Sequence, residues 1–171
     1  MGQKGRKETR MSTAPVDERP LTALQGMARL VALLFHHLAE EAEKALGPEE
    51  GRALVARAIH NMGRERGRRI RERVDAAGLE PTLENMFKFY DLPVGEAWQS
   101  QDGRVGERFI KTYRYCPLAE VWKELNDEQR GILYCDIDLA IVEGYNPAIA
   151  IRPVKNMQRG DEQCEYEYWT I

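Results

Sequence analysis

A thiol and a carboxylate stand three residues apart at Cys135 and Asp138, inside the run GILYCDIDLAIVEG. On a helix that spacing sets both on one face, where they could exchange a proton and act together on a carbon–heteroatom bond; on a strand it sends them to opposite faces. Alternation of Leu133, Cys135, Ile137, Leu139 and Ile141 permits the strand, but the length of the run and its terminal glycines favour the helix. The following GYNP turn would bring Asn146 back toward that helix as a hydrogen-bond donor.

Two further cysteines, Cys116 and Cys164, make three in all. Each has a plain alternative as core filler, since free cysteine packs as a small apolar residue. Together with Cys135 and one carboxylate they would complete a four-ligand zinc site. Arg66 occupies the one gap in the apolar stripe Val55, Ile59, Met62, Ile70, Val74 and is expected to point inward. A buried guanidinium needs an anion, and Asp138, a glutamate, or the carboxylate of a small substrate would serve. His60, next to Ile59, is the histidine best placed to act as a base, although a lone helical histidine is more often structural. His36 and His37 are adjacent and diverge around a helix, which argues against a histidine metal site, and no HExxH, CxxC, phosphate loop or dinucleotide fingerprint is present. Six arginines crowd positions 64–73 with two glutamates. Without interleaved aromatics this reads as a solvated helix face, and nucleic acid is not an expected partner.

The elements that must position these groups follow from patterning. Residues 1–20 are polar and without apolar period, and are expected to be a flexible tail; residues 21–171 are expected to form one domain. A first long helix is expected over 21–46, apolar nearly all round between Met27 and Leu38 and so central to the core, ending at Gly47-Pro48. A second is expected over 49–77, stopped by Gly78. Thr82 caps a short helix, a hairpin is expected to turn at Asp102-Gly103, Pro117 opens another short helix, and AIAIRPVKN and CEYEYWTI flank a turn at Arg159-Gly160-Asp161 as strands. The fold class is therefore α+β: two long N-terminal helices packed on a small antiparallel sheet, with shorter helices between strands. A net charge of −3 excludes a field that gathers polyanions, and the longest apolar run, residues 30–35, is far too short to span a bilayer. Arg6 stands where a myristoylation signal wants Ser or Thr. A cytoplasmic protein with reduced thiols, no membrane partner and a small-molecule ligand is expected, and a homo-oligomer is compatible with this composition.

YRYCPLAEVW, YCDIDLAIVEGYNP and RGDEQCEYEYW, preceded by ENMFKFYDLP, resemble the L-2-amino-thiazoline-4-carboxylic acid hydrolase family over residues 25–171. The resemblance implies hydrolytic opening of a cyclic amidine, without a cofactor. Such a reaction needs attack at the carbon between N and S, a proton for the departing heteroatom, and a hold on the substrate carboxylate. Cys135 would be nucleophile or proton source, Asp138 an amidinium partner or general base, His60 a base, Asn146 an oxyanion-type donor and Arg66 the carboxylate clamp. GDEQCEYEY also resembles the end of the 4-vinyl-reductase-type domain, which implies instead a non-catalytic sensor module holding zinc through Cys116, Cys135 and Cys164.

Overall fold

The computed structural model of the chain describes residues 21–171; the expected tail lies outside the described residues. Helix α1, Ala23–Leu46, starts at a reciprocal cap in which the Thr22 hydroxyl accepts from the Gln25 amide at 3.2 Å and the Gln25 side chain accepts from the Thr22 amide at 3.0 Å. It stops at Gly47, whose φ of +88° suits glycine. Pro48 then begins α2, Pro48–Ala76, at the helical position that has no need of an amide hydrogen. Only one face of α1 enters the core, through Ala28, Ala32, Phe35 and Ala39. The rest of its apolar run faces outward, which corrects the expectation of a fully central helix.

Short helices α3 (Leu83–Lys88, capped by Thr82) and α4 (Val94–Ala97) lead into β1, Ser100–Val105, and β2, Arg108–Tyr113. The hairpin turns at Gly106, with φ +59°, three residues later than the Asp102-Gly103 expected, because Gly103 has extended partners in Ile110 and its neighbours and is simply part of the strand. Helices α5 (Pro117–Glu124), α6 (Glu128–Cys135) and α7 (Ile137–Tyr145) follow, then β3 (Ile149–Lys155), a 3-10 turn at Met157–Arg159, and β4 (Cys164–Thr170). The sheet is antiparallel throughout in the order β1-β2-β4-β3, so the chain is α+β as expected. Pro153 is tolerated because β3 is an edge strand and its register shifts there.

The expected single helix over GILYCDIDLAIVEG is two, broken at Asp136. Two docking surfaces force the break. Gly131 of α6 lies against the Trp122 ring, so closely that a Cβ there would come within 2.6 Å of it, whereas α7 lies against α2. The α2–α7 crossing is backbone-close: a Cβ on Gly63 would meet that of Ala140 at 2.6 Å, one on Gly67 the Ile141 carbonyl at 2.1 Å, and one on Gly144 the Arg64 carbonyl at 2.3 Å. GRERG, Gly63 to Gly67, is thus a small-residue seat for a helix, and it sets Asp138 of α7 opposite Arg66 of α2.

A candidate active site between the helices and the sheet

A cavity of about 110 Å³ opens between these layers. Arg66 reaches it from α2, Tyr90 from the segment after α3, Tyr113 from β2, Cys135 from the end of α6 and Asp138 from the first turn of α7. The strand period of β4 turns Cys164, Tyr166 and Tyr168 to one buried face, and the first two line the cavity. Cys116, just before α5, closes it with Trp98 and Trp122.

Arg66 points inward as expected, but its protein partner is Asp91. Nε and Nη2 donate to the two carboxylate oxygens at 2.7 and 2.6 Å, a fork-on-fork pair that leaves Nη1 outside it. Burial is the largest single influence on the guanidinium and works against its charge, but the Asp91 hydrogen bond together with the charges of Tyr90, Asp91 and Asp138 outweighs it and raises the Arg66 pKa. On Asp91 burial is again the largest single influence, and the bond to Arg66 with the Arg66 charge and smaller contributions outweighs it and lowers the pKa. Tyr90 stacks over the guanidinium at 5.6 Å.

Asp138 is the unusual group. Burial pushes its carboxyl up to about 6, against the opposing pull of the Arg66 charge and a hydrogen bond from Tyr166. It stands at the edge of neutrality near physiological pH, as a general base or acid requires. The thiols go the other way from reactivity. Burial pushes Cys116 up to about 12 and Cys135 well above the usual thiol range, with the neighbouring sulfurs adding to the effect on Cys135. Cys164, also raised by burial, accepts a hydrogen bond from the Met157 amide at 3.4 Å. All three are neutral S–H groups at pH 7.

Cys135, Asp138 and Arg66 are brought together; His60 and Asn146 are not. His60 lies on the outer face of α2, half exposed, with Nε2 2.8 Å from Glu143, because a position one residue past the buried Ile59 is turned away from the core. Asn146 caps α7: its amide donates to the Pro81 carbonyl at 2.9 Å and its oxygen accepts from the Ala148 amide at 3.0 Å, which occupies the side chain in holding the loop. Cys116, Cys135 and Cys164 share the cavity wall. Among the described residues, however, the group of potential ligands whose atoms lie within 4.8 Å of one another is His36, His37 and Glu40. The adjacent histidines converge, contrary to expectation, because their rings tilt to a 4.9 Å edge contact; two of the three groups are already engaged, His36 by Asp127 at 2.5 Å and Glu40 by Lys44 at 2.9 Å. The arginine run is laced by exposed pairs from Arg68 and Arg69 to Glu65 and from Arg71 to Asp75.

Sequence reading missed Asp91, Tyr90, Tyr113 and Tyr166. The β4 alternation carried the signal for Tyr166; Tyr90 and Asp91 stand in the run ENMFKFYDLP, but no period there pairs Asp91 with Arg66, 25 residues away.

An α+β domain whose helical layer and antiparallel sheet enclose one poised carboxyl, one guanidinium and three neutral thiols has the outline of a small-ligand site. The chain belongs to the L-2-amino-thiazoline-4-carboxylic acid hydrolase family, whose model matches residues 27–168. Among solved structures it is similar to a trafficking protein particle complex subunit 3 from Naegleria fowleri, crystallised covalently bound to palmitic acid: TM-score 0.55, 15% identity, covering 86% of this chain and 96% of that one. At that identity the likeness extends to the fold alone. No curated protein matches the chain. No helix among the described residues is long and apolar enough to cross a membrane.

Proposed function

We propose that the chain hydrolyses a small cyclic amidine bearing a carboxylate, of the thiazoline carboxylate type, in the cavity around Asp138. The observation that carries this reading is the Asp138 carboxyl, half-neutral near pH 6 on the wall of a cavity sized for a single small ring. Asp138, ionised above that pH, takes a proton from water as the water oxygen bonds to the amidine carbon. The C=N electron pair moves to nitrogen, giving a tetrahedral centre. Collapse then breaks a ring bond from that carbon, and the proton held by Asp138 passes to the departing heteroatom, either directly or through Cys135, whose thiol gives up its own proton and takes that of Asp138 in return. The raised thiols favour this water route over attack by a Cys135 thiolate. Arg66, pinned by Asp91, offers its remaining Nη1 edge to the substrate carboxylate.

A long acyl chain fits this site poorly. A volume of about 110 Å³ holding a guanidinium and a carboxyl suits a compact polar ring. Incubating the purified chain with L-2-amino-thiazoline-4-carboxylate and following the ring-opened product by mass tests the proposal: the wild type yields product and Asp138→Asn does not. Absence of product from the folded wild type would refute it.

A further inference from the structure

The α1 face turned away from the core carries a second apolar stripe. Met27, Leu30, Val31, Leu34 and Leu38 are 59, 60, 38, 60 and 61% exposed. Their spacing of three and four residues places all five within about 100° of arc, on a face turned roughly 110° around the helix from Ala28, Ala32, Phe35 and Ala39. They expose roughly 500 Å², near the top of the range for the largest apolar patch on a monomer. At the same levels of the antiparallel α2, Leu54 and Met62 are also 43 and 46% exposed. None of these residues takes part in the cavity.

We propose that this face binds a second copy of the chain, the two α1 helices lying antiparallel about a two-fold axis between Val31 and Leu34. That arrangement lets the stripe pack against its own copy. An axis at that point sets Val31 against the partner's Leu34 and Met27 against the partner's Leu38, with Leu30 packing beside these pairs, and each contact recurs in both directions as an isologous interface demands. Charge agrees with it. The first turn of α1 has no acidic residue, while Glu40, Glu41 and Glu43 crowd its end. Antiparallel pairing brings Glu41 to the level of the partner's Leu24, beside the positive helix N-terminus, whereas parallel pairing would stack the acidic ends. With flanking side chains, about 800 Å² per partner is within reach, the area of a standard stable interface.

Other occupants fit less well. A lipid surface wants Lys and Arg beside the apolar face, whereas residues 26–46 carry three glutamates, Glu40, Glu41 and Glu43, against Arg29 and Lys44. Residues 1–20 offer only Met1, Met11 and Val16 as large apolar side chains, too few to cover five.

Sedimentation of the full chain at tens of micromolar should give the mass of a dimer, and Leu34→Glu, at a position already exposed, should give a monomer with unchanged circular dichroism. Disulfide trapping checks the geometry without relying on that variant. Met27→Cys and Leu38→Cys chains should cross-link when mixed and not when oxidised separately, because in the antiparallel pair like positions lie about 16 Å apart along the axis. A wild-type monomer at all concentrations would overturn the proposal, as would cross-linking of either variant by itself, which marks a parallel pair. Dimerisation only after removal of residues 1–20 would assign the face to that segment, and flotation of a monomer with anionic phosphatidylserine vesicles would assign it to lipid; either result overturns the proposal.

Discussion

Arg66 and Asp91 are joined through two hydrogen bonds of 2.7 and 2.6 Å, and this pair supports one wall of the cavity in which Asp138 stands. Removing one partner strands the other in a desolvated setting. Arg66→Ala or Asp91→Ala should therefore lower stability by about 2–4 kcal/mol, measured by urea unfolding. Joint replacement by leucines should recover much of the loss. Neutral single variants would show that the pair carries no structural load.

Asp138 predicts a stability profile of definite sign. In the unfolded chain its proton leaves near pH 4, in the fold near 6. Between those values the native state holds the extra proton, so this group's contribution to stability is greatest below about pH 4 and falls as pH rises to about 6, then levels. Asp138→Asn should remove that decline. A native profile that matches the variant's between pH 4 and 6 would place the carboxyl in an ordinary environment.

The thiols should be sluggish. With Cys116 pushed up to about 12 and Cys135 well above the usual range, iodoacetamide at pH 7.5 should leave all three unmodified in the folded chain and label all three in denaturant. Prompt labelling of Cys135 alone would restore a thiolate nucleophile to the mechanism.

Gly67→Ala should separate α2 from α7, since the added carbon would sit 2.1 Å from the Ile141 carbonyl. The cost is expected to reach or exceed about 3 kcal/mol, at the upper end for overpacking, because backbone and not a flexible side chain must move. Gly26→Ala, with open space around it, should be neutral or stabilising by up to about 1 kcal/mol. Equal effects at the two positions would argue against the close crossing.

Fold class and most elements were legible in the sequence because capping and turn residues act locally: Gly47-Pro48, Thr82, Pro117 and Gly160 each end or begin an element where expected. The inward turn of Arg66 was legible for the same reason, a gap in a helical period. Its partner was not, because Asp91 comes from a segment whose position depends on tertiary packing. The same limit explains Asp136. Nothing in GILYCDIDLAIVEG itself breaks the helix; the divergence of two docking surfaces, Trp122 under Gly131 and the α2 glycines under α7, does. Cys135 and Asp138 consequently meet in one cavity from two helices instead of one face of a single helix. The outward stripe of α1 was misread as core because apolar residues look alike whether they face a neighbouring element or none.

The central claim, that Asp138 is the base that opens a cyclic amidine carboxylate, is tested most directly by the pH dependence of kcat/KM on L-2-amino-thiazoline-4-carboxylate. The account predicts activity that rises with pH through a limb near 6, set by the raised Asp138 carboxyl, and a loss of about 10²- to 10⁴-fold with no such limb in folded Asp138→Asn. A limb unchanged by that substitution, or equal activity in the two proteins, would contradict it.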